Sequence, residues 1–130
     1  MIETQAVDII APDIPKMGGL AEARRVADWA DTYYMNVAPH NVASPIGTVA
    51  SAHVCASIPN FLIQECFDDF LVPWSRDIMH GVPQVHDGYI TPSDAPGIGV
   101  ELAETEMAKH PYGQDFFLRL FEDGWETRKR

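Results

Sequence analysis

Over the first 65 residues the chain switches between short apolar runs and stretches with a helical period. Residues 6–11 (AVDIIA) are a β-branched apolar run of the kind buried on both faces of a parallel sheet, closed by Pro12 and Asp13. The loop PDIPKMGG leads into a segment where Leu20, Ala23, Val26, Ala27, Ala30 and Tyr33 recur at helical spacing. Glu22, Arg24, Arg25, Asp28 and Asp31 take the opposite face, so one side is predicted to pack and the other to meet water. Residues 35–38 form a second apolar run, which ends at Pro39 and His40. Ser44 and Pro45 then supply a helix N-cap and a first helical position where a missing N–H is harmless. Ile46, Val49, Ala50, His53, Val54 and Ser57 make the expected inward stripe, and Pro59 stops the helix. Residues 61–63 supply a third strand, with Gln64 and Glu65 as its polar end.

This β-α-β-α-β order predicts an α/β architecture with parallel strands and right-handed crossovers. After Asp69 the character changes. Residues 73–99 are dense in Pro, Gly, Asp and His, which marks turns and irregular structure. Within DGYITPSDAPGIGVEL a short strand over 89–91 and a tight turn at Pro96 and Gly97 are expected. Asp115 is placed to cap a last helix whose apolar face is Phe117, Leu120 and Phe121, ended by Gly124. The expected division is therefore 1–72, three βα units of a partial barrel, and 73–130, a turn-rich tail with a short strand and a terminal helix.

Composition narrows the function. With 130 residues, 46% apolar and 22% charged, the chain suits one globular domain with a modest core. Nine basic residues against nineteen acidic ones argue against a nucleic-acid surface, and Arg128, Lys129 and Arg130 read as a solvated tail. No apolar stretch approaches the ~20 residues that span a bilayer, so no membrane partner is expected. Residues 1–8 carry neither the basic region nor the apolar run of a secretory signal. Cys55 and Cys66 form no C-x-x-C pair and read as small buried residues in a reduced, cytoplasmic compartment.

The candidate chemistry lies at the ends of the apolar runs. Asp13, His40 and Glu65 are 27 and 25 residues apart (40 − 13 and 65 − 40). One strand-plus-helix unit of a (β/α) barrel has about that length, since eight make a domain of about 250 residues, and the carboxyl ends of barrel strands carry the chemistry. Histidine moves protons at neutral pH, and a neighbouring carboxylate fixes its tautomer and raises its basicity, so Asp13 is a sensible partner for His40. Glu65, kept protonated by its surroundings, would donate a hydrogen bond to a developing oxyanion. The blander alternatives are a turn aspartate, a loop histidine and a solvated acid.

The local sequences DIIAPDIPKMGG, APHNVASPIG and NFLIQE together resemble the C-terminal barrel segments of the enolase superfamily, in its mandelate racemase and muconate lactonizing branch. The tail DGYITPSDAPGIGVEL resembles the ending of that family, where the chain returns to a capping domain. The resemblance implies an α/β fold made of strands six to eight of a (β/α) barrel, with Asp13, His40 and Glu65 at the three strand ends. APHN followed by SPIG, then PNFLIQE, look most like the acid-sugar dehydratases acting on galactonate, gluconate and similar aldonates. That implies a lyase in which Mg²⁺ binds the substrate carboxylate and stabilises an enediolate. The His40–Asp13 dyad would remove the α-proton or protonate the departing hydroxyl. Glu65 would hydrogen-bond the carboxylate end, and a 2-keto-3-deoxy sugar acid would result.

The resemblance also implies what lies elsewhere: metal ligands on strands three to five, a second acid/base and the capping domain. Asp68, Asp69 and Asp77 fit no metal-binding spacing, so none is assigned to Mg²⁺. The chain is expected to be a C-terminal fragment, inactive alone, of a form that is homo-oligomeric at full length and takes a small sugar acid. The rival functions are a racemase or epimerase of the same superfamily, an inactive remnant or assembly module, and, last, a flavodoxin-like binding domain. A wedge of three strands leaves sheet edges and apolar faces open, so marginal stability or self-association is expected.

Other residues carry milder readings. Lys16 either approaches the dyad or is a surface lysine. His53 reads as a hydrogen-bonded core histidine, and His80, His86 and His110 receive no role. Gly18 and Gly19 read as a tight loop entry, and Trp29, Trp74 and Trp125 as packing residues.

Overall fold

A computed structural model describes residues 1–42, 44–67 and 72–113. The helix expected after Asp115, Asp68, Asp69, Trp125 and the basic residues at the C-terminus lie outside the described residues. Strand β1 (Ile9–Ile10), helix α1 (Leu20–Thr32), strand β2 (Asn36–Val37) and helix α2 (Pro45–Ser57) follow in the expected order. β1 and β2 are parallel, pairing Ile9 with Asn36 and Ile10 with Val37, and a further bridge joins Asp13 to His40. All three pairs share one offset, so the spacing along the chain is the register of the sheet. Residues 60–62 join the other side of β2 through a parallel bridge between Val37 and Phe61. There Val37 N–H donates to Asn60 O at 2.9 Å and Leu62 N–H to Val37 O at 2.9 Å. β2 is thus the middle of three parallel strands, and their polar ends share one rim.

The helices form where the sequence punctuates them. Gly18 (φ 115°) and Gly19 (φ 85°) bring the chain into α1 through conformations that favour glycine, and Tyr34 (φ 58°) turns it out again. Ala23, Ala27 and Ala30 are buried along one stripe of α1, where small side chains let the helix lie close to its neighbours. Ser44 Oγ accepts the Gly47 N–H at 3.4 Å to cap α2, with Pro45 at its first turn. Asn60, buried, donates to Ala27 O at 3.0 Å and Met35 O at 2.9 Å, which ties the third strand to α1 and to the entrance of β2. Ile10, Ile14, Met35, Val37, Val54 and Ile58 fill the core with the alanines of α1.

Several expectations need correction. The first run is not buried on both faces: Ile9 is 47% exposed while Ile10 is 8%. Phe61, Leu62 and Ile63 are all exposed, and the third strand is a single bridge rather than a ladder. Ile9 and Ile10 point to opposite faces of the sheet, one in water and one in the core. Residues 61–63, joined to β2 by the Phe61 bridge, are instead exposed at three successive positions and do not alternate. α2 buries more than the predicted stripe: Thr48, Ser51, Ala52 and Cys55 are buried, whereas Ile46 and Ser57 are exposed. Its surroundings explain this, since α1 packs on one side. Cys55, Leu62 and Tyr89 line an apolar cleft of about 410 Å³. Trp29 lies off the alanine stripe and is 47% exposed, so it is not a packing residue of the core.

The tail contains strands that composition did not reveal. A 3-10 turn over Pro73–Arg76 precedes β3 (Met79–His80), which pairs antiparallel with β4 (Glu101–Leu102), and a one-turn helix α3 (Glu104–Met107) follows. The strand expected over 89–91 is instead a tight hairpin. Tyr89 pairs with His86 across Asp87 (φ 50°) and Gly88 (φ 82°), a two-residue turn whose twist suits paired strands. The turn at Pro96 and Gly97 forms, with Gly99 N–H donating to Pro96 O at 3.3 Å. His53 is half-buried and its Nε2 lies 3.2 Å from Ile98 O, so it links α2 to the tail. Trp74 stacks on His110, with ring centroids 4.1 Å apart. No helix among the described residues is long and apolar enough to cross a membrane.

Candidate active site

The sheet register decides which side chains meet. Asp13 and His40 are directly bridged, and His40 N–H donates to Pro12 O at 3.1 Å. Bridged residues project to the same face of a sheet, and here His40 Nδ1 lies 2.8 Å from Asp13 Oδ2. An ionised carboxylate only accepts, so Nδ1 carries the proton and Nε2 is left as the basic nitrogen. Nε2 stands 3.9 Å from Glu65 Oε2. The three residues picked from the sequence therefore converge on one rim, with His40 in the middle.

Glu65 reaches His40 by an irregularity. Leu62 N–H bonds to Val37 O, and the next such bond runs from Glu65 N–H to Pro39 O at 3.2 Å. Three residues pass on one strand and two on the other, the mismatch of a β-bulge. In unbroken register Gln64 would stand opposite His40; instead its amide donates to Thr48 O at 3.0 Å on α2. The bulge turns Glu65 toward the site, where its Oε2 accepts the Asn41 N–H at 2.8 Å.

Asn41 is a residue that sequence reasoning missed. It is 2% exposed, and its Nδ2 donates to Thr48 Oγ1 at 2.7 Å and to Glu65 O at 3.2 Å. One side chain thus holds the first turn of α2 against the strand that carries Glu65. Its position directly after His40 was the available signal.

Charge around Asp13 is strongly organised. Lys16 Nζ lies 2.7 Å from the same Oδ2 that meets His40, and Lys16 N–H reaches Oδ1 at 3.3 Å. Burial pushes the Asp13 carboxyl up, but the hydrogen bonds from Lys16 and His40 and the Lys16 charge outweigh it and hold it below its ordinary value. Cys55 is of the opposite kind: burial pushes its thiol up to about 12, so it is an inert packing group.

No metal site accompanies these groups. Among the described residues no set of three His, Cys, Asp or Glu could hold an ion, and Asp77 belongs to no such cluster. Asp13 is committed to Lys16 and His40, and Glu65 to Asn41. The residues present do not fit a Mg²⁺ centre. They can hold and move a proton at His40 Nε2 and offer a carboxyl group beside it.

Parallel βα units whose polar residues converge at the carboxyl rim are the arrangement found at the catalytic face of (β/α) barrels. The chain belongs to the enolase C-terminal domain-like family, whose model matches residues 1–106. It is 47% identical over 110 residues to a D-xylonate dehydratase of Haloferax volcanii, which covers 85% of this chain and 26% of that protein. A D-galactonate dehydratase family member from Streptomyces bingchenggensis is 32% identical over 114 residues, covering 86% and 27%. Among solved structures, an enolase from Pantoea ananatis with bound D-gluconate and Mg superposes with a TM-score of 0.78 at 33% identity, covering 85% of this chain and 27% of that one. A mandelate racemase/muconate lactonizing enzyme-like protein from Rubrobacter xylanophilus gives 0.77 at 42% identity, covering 85% and 28%. The chain spans about a quarter of the length of the curated relatives it matches.

Proposed function

We propose that this chain supplies the acid–base wall of a sugar-acid dehydratase, corresponding to strands six to eight of the barrel. His40 is the proton carrier, Asp13 its orienting acid and Glu65 the hydrogen-bond donor to the substrate. The observation that carries the reading is the 2.8 Å contact of His40 Nδ1 with Asp13 Oδ2, which leaves Nε2 toward Glu65. The dehydratase names of the relatives, and the gluconate and Mg in the Pantoea neighbour, supply the substrate class.

In this reading Nε2 takes the proton from the carbon next to the substrate carboxylate, and the electron pair moves into the carboxylate to give an enediolate. Glu65 would hydrogen-bond the oxygen on which charge builds. The C3–O bond then breaks, and the leaving hydroxide takes the proton from the His40 imidazolium. The resulting enol tautomerises to a 2-keto-3-deoxy sugar acid. Mg²⁺ would take its ligands from outside the described residues, and the isolated chain is expected to be inactive. A racemase or epimerase is the second reading, favoured by solved neighbours such as the mandelate racemase/muconate lactonizing enzyme of Jannaschia. There His40 would exchange its proton with the same carbon and the hydroxyl would stay.

A chimera tests the proposal. Residues 1–106 replace the matching part of the Haloferax D-xylonate dehydratase, and D-xylonate turnover is followed. The chimera is expected to release the 2-keto-3-deoxy product. A folded chimera that exchanges the α-proton with solvent without losing water would select the racemase reading, and one that does neither would overturn both.

A further inference from the structure

We propose that Lys16 is a positioning residue of the dyad: its backbone N–H and its ammonium group hold the two oxygens of the Asp13 carboxylate so that Oδ2 faces the His40 imidazole. Lys16 N–H points at Oδ1 (3.3 Å) and Nζ at Oδ2 (2.7 Å), while His40 Nδ1 meets that same Oδ2 at 2.8 Å. Both carboxylate oxygens are engaged from one residue, which leaves the group a single orientation toward the ring.

The loop is built for this return. Directly after Asp13 the chain turns back, with Lys16 N–H and Met17 N–H both donating to Asp13 O at 3.0 and 2.9 Å. Ile14 is 1% exposed and its carbonyl accepts Gly19 N–H at 3.1 Å, so the residue between the two partners is anchored in the core. Pro15 restricts the one remaining link. A surface ion pair normally contributes little, because two flexible side chains must be ordered. Here the Asp13 side chain is 14% exposed and already oriented, and only the Lys16 stem, 67% exposed, has freedom to lose.

Charge balance gives the arrangement a reason. The groups facing the imidazole are Asp13 and Glu65, both acids, in a chain of net charge −10. Lys16 puts a cation against the acid that touches the ring. It favours the ionised form of that acid and holds Oδ2 toward Nδ1.

The consequence for turnover rests on the acid–base role proposed for His40, but the test reads the dyad itself. In the full chain, labelled with ¹³C and ¹⁵N, the Asp13 carboxyl carbon is followed through an acid titration, together with solvent exchange of the His40 Nδ1 proton. Lys16→Met is expected to raise the Asp13 midpoint and to speed the exchange. Lys16→Arg restores both in large part. In the unaltered chain, added salt moves the Asp13 midpoint in the same direction, which reads the pair without any substitution. An unchanged midpoint and exchange rate in Lys16→Met, with methyl signals showing an intact core, would overturn the proposal. Failure of the dehydratase reading shows differently, as an inactive chimera whose Asp13 titration still responds to Lys16.

Discussion

Residues 8–65 and residues 72–113 are ordered by different means. The first region buries aliphatic side chains from both helices and the sheet, whereas Ser75 and Met79 are the only buried side chains among the described residues of the second. The tail is shaped by backbone instead: Gly81, Asp87, Gly88, Gly97 and Gly99 all take positive φ within twenty residues. A Cβ on Gly81 would meet Gly99 O at 2.7 Å, and one on Gly99 would collide with Ser93, so two strand ends approach too closely for any side chain. The site grows only where burial does the ordering. The contact of His40 Nδ1 with Asp13 Oδ2 at 2.8 Å needs both partners held closely, and a rigid sheet rim does this better than a set of turns.

Four perturbations break or sharpen this contrast, and the largest acts on chemistry. In the active chimera, His40→Asn is expected to lower turnover by roughly 10²–10⁴-fold while the melting temperature stays close to the parent, because general acid–base catalysis has that magnitude. Next is the core. Ile14→Ala, at a side chain 1% exposed, should cost about 2–5 kcal/mol and disorder the Asp13–Lys16 loop with it, read by chemical denaturation. Loss of protection in the tail alone would contradict the division of labour.

Smaller effects probe the tail and the acid range. Gly99→Ala should destabilise the molecule by about 1–3 kcal/mol through its positive φ and the Ser93 contact, with hydrogen exchange rising over 79–102 and not at residues 9–40. The Asp13 carboxyl, held low when folded, contributes stability that is fully present above its ordinary range and is lost as pH falls through the lowered value. Acid should therefore loosen residues 13–17 first, and Asp13→Asn should remove that pH dependence, measured by amide exchange between about pH 5 and pH 2.

Much of the first region was legible in the chain. α1 and α2 begin and end near Gly19, Ser44, Pro45 and Pro59 because capping is local chemistry, written in adjacent residues. The spacing of Asp13 and His40 was readable too, since a parallel strand repeats at a constant offset. The spacing of 25 that singled out Glu65 includes a bulged residue that no local pattern displays. Asn41 gained its partners only through the fold, across the sheet, and the turn after Asp13 decided between the two readings of Lys16. β3 and β4 escaped notice because two-residue strands paired more than twenty residues apart leave no period to detect. The exposure of Ile9, Leu62 and Ile63 was equally hidden, as apolar runs look alike whether or not a layer covers them.

The convergence of Asp13 and His40 at the rim is tested most directly by the ring nitrogens of His40. A ¹⁵N spectrum of the labelled chain near neutral pH should show the tautomer protonated at Nδ1, and the Asp13→Asn variant should lose that preference. A ring protonated mainly at Nε2, or one indifferent to the residue at position 13, would contradict the account.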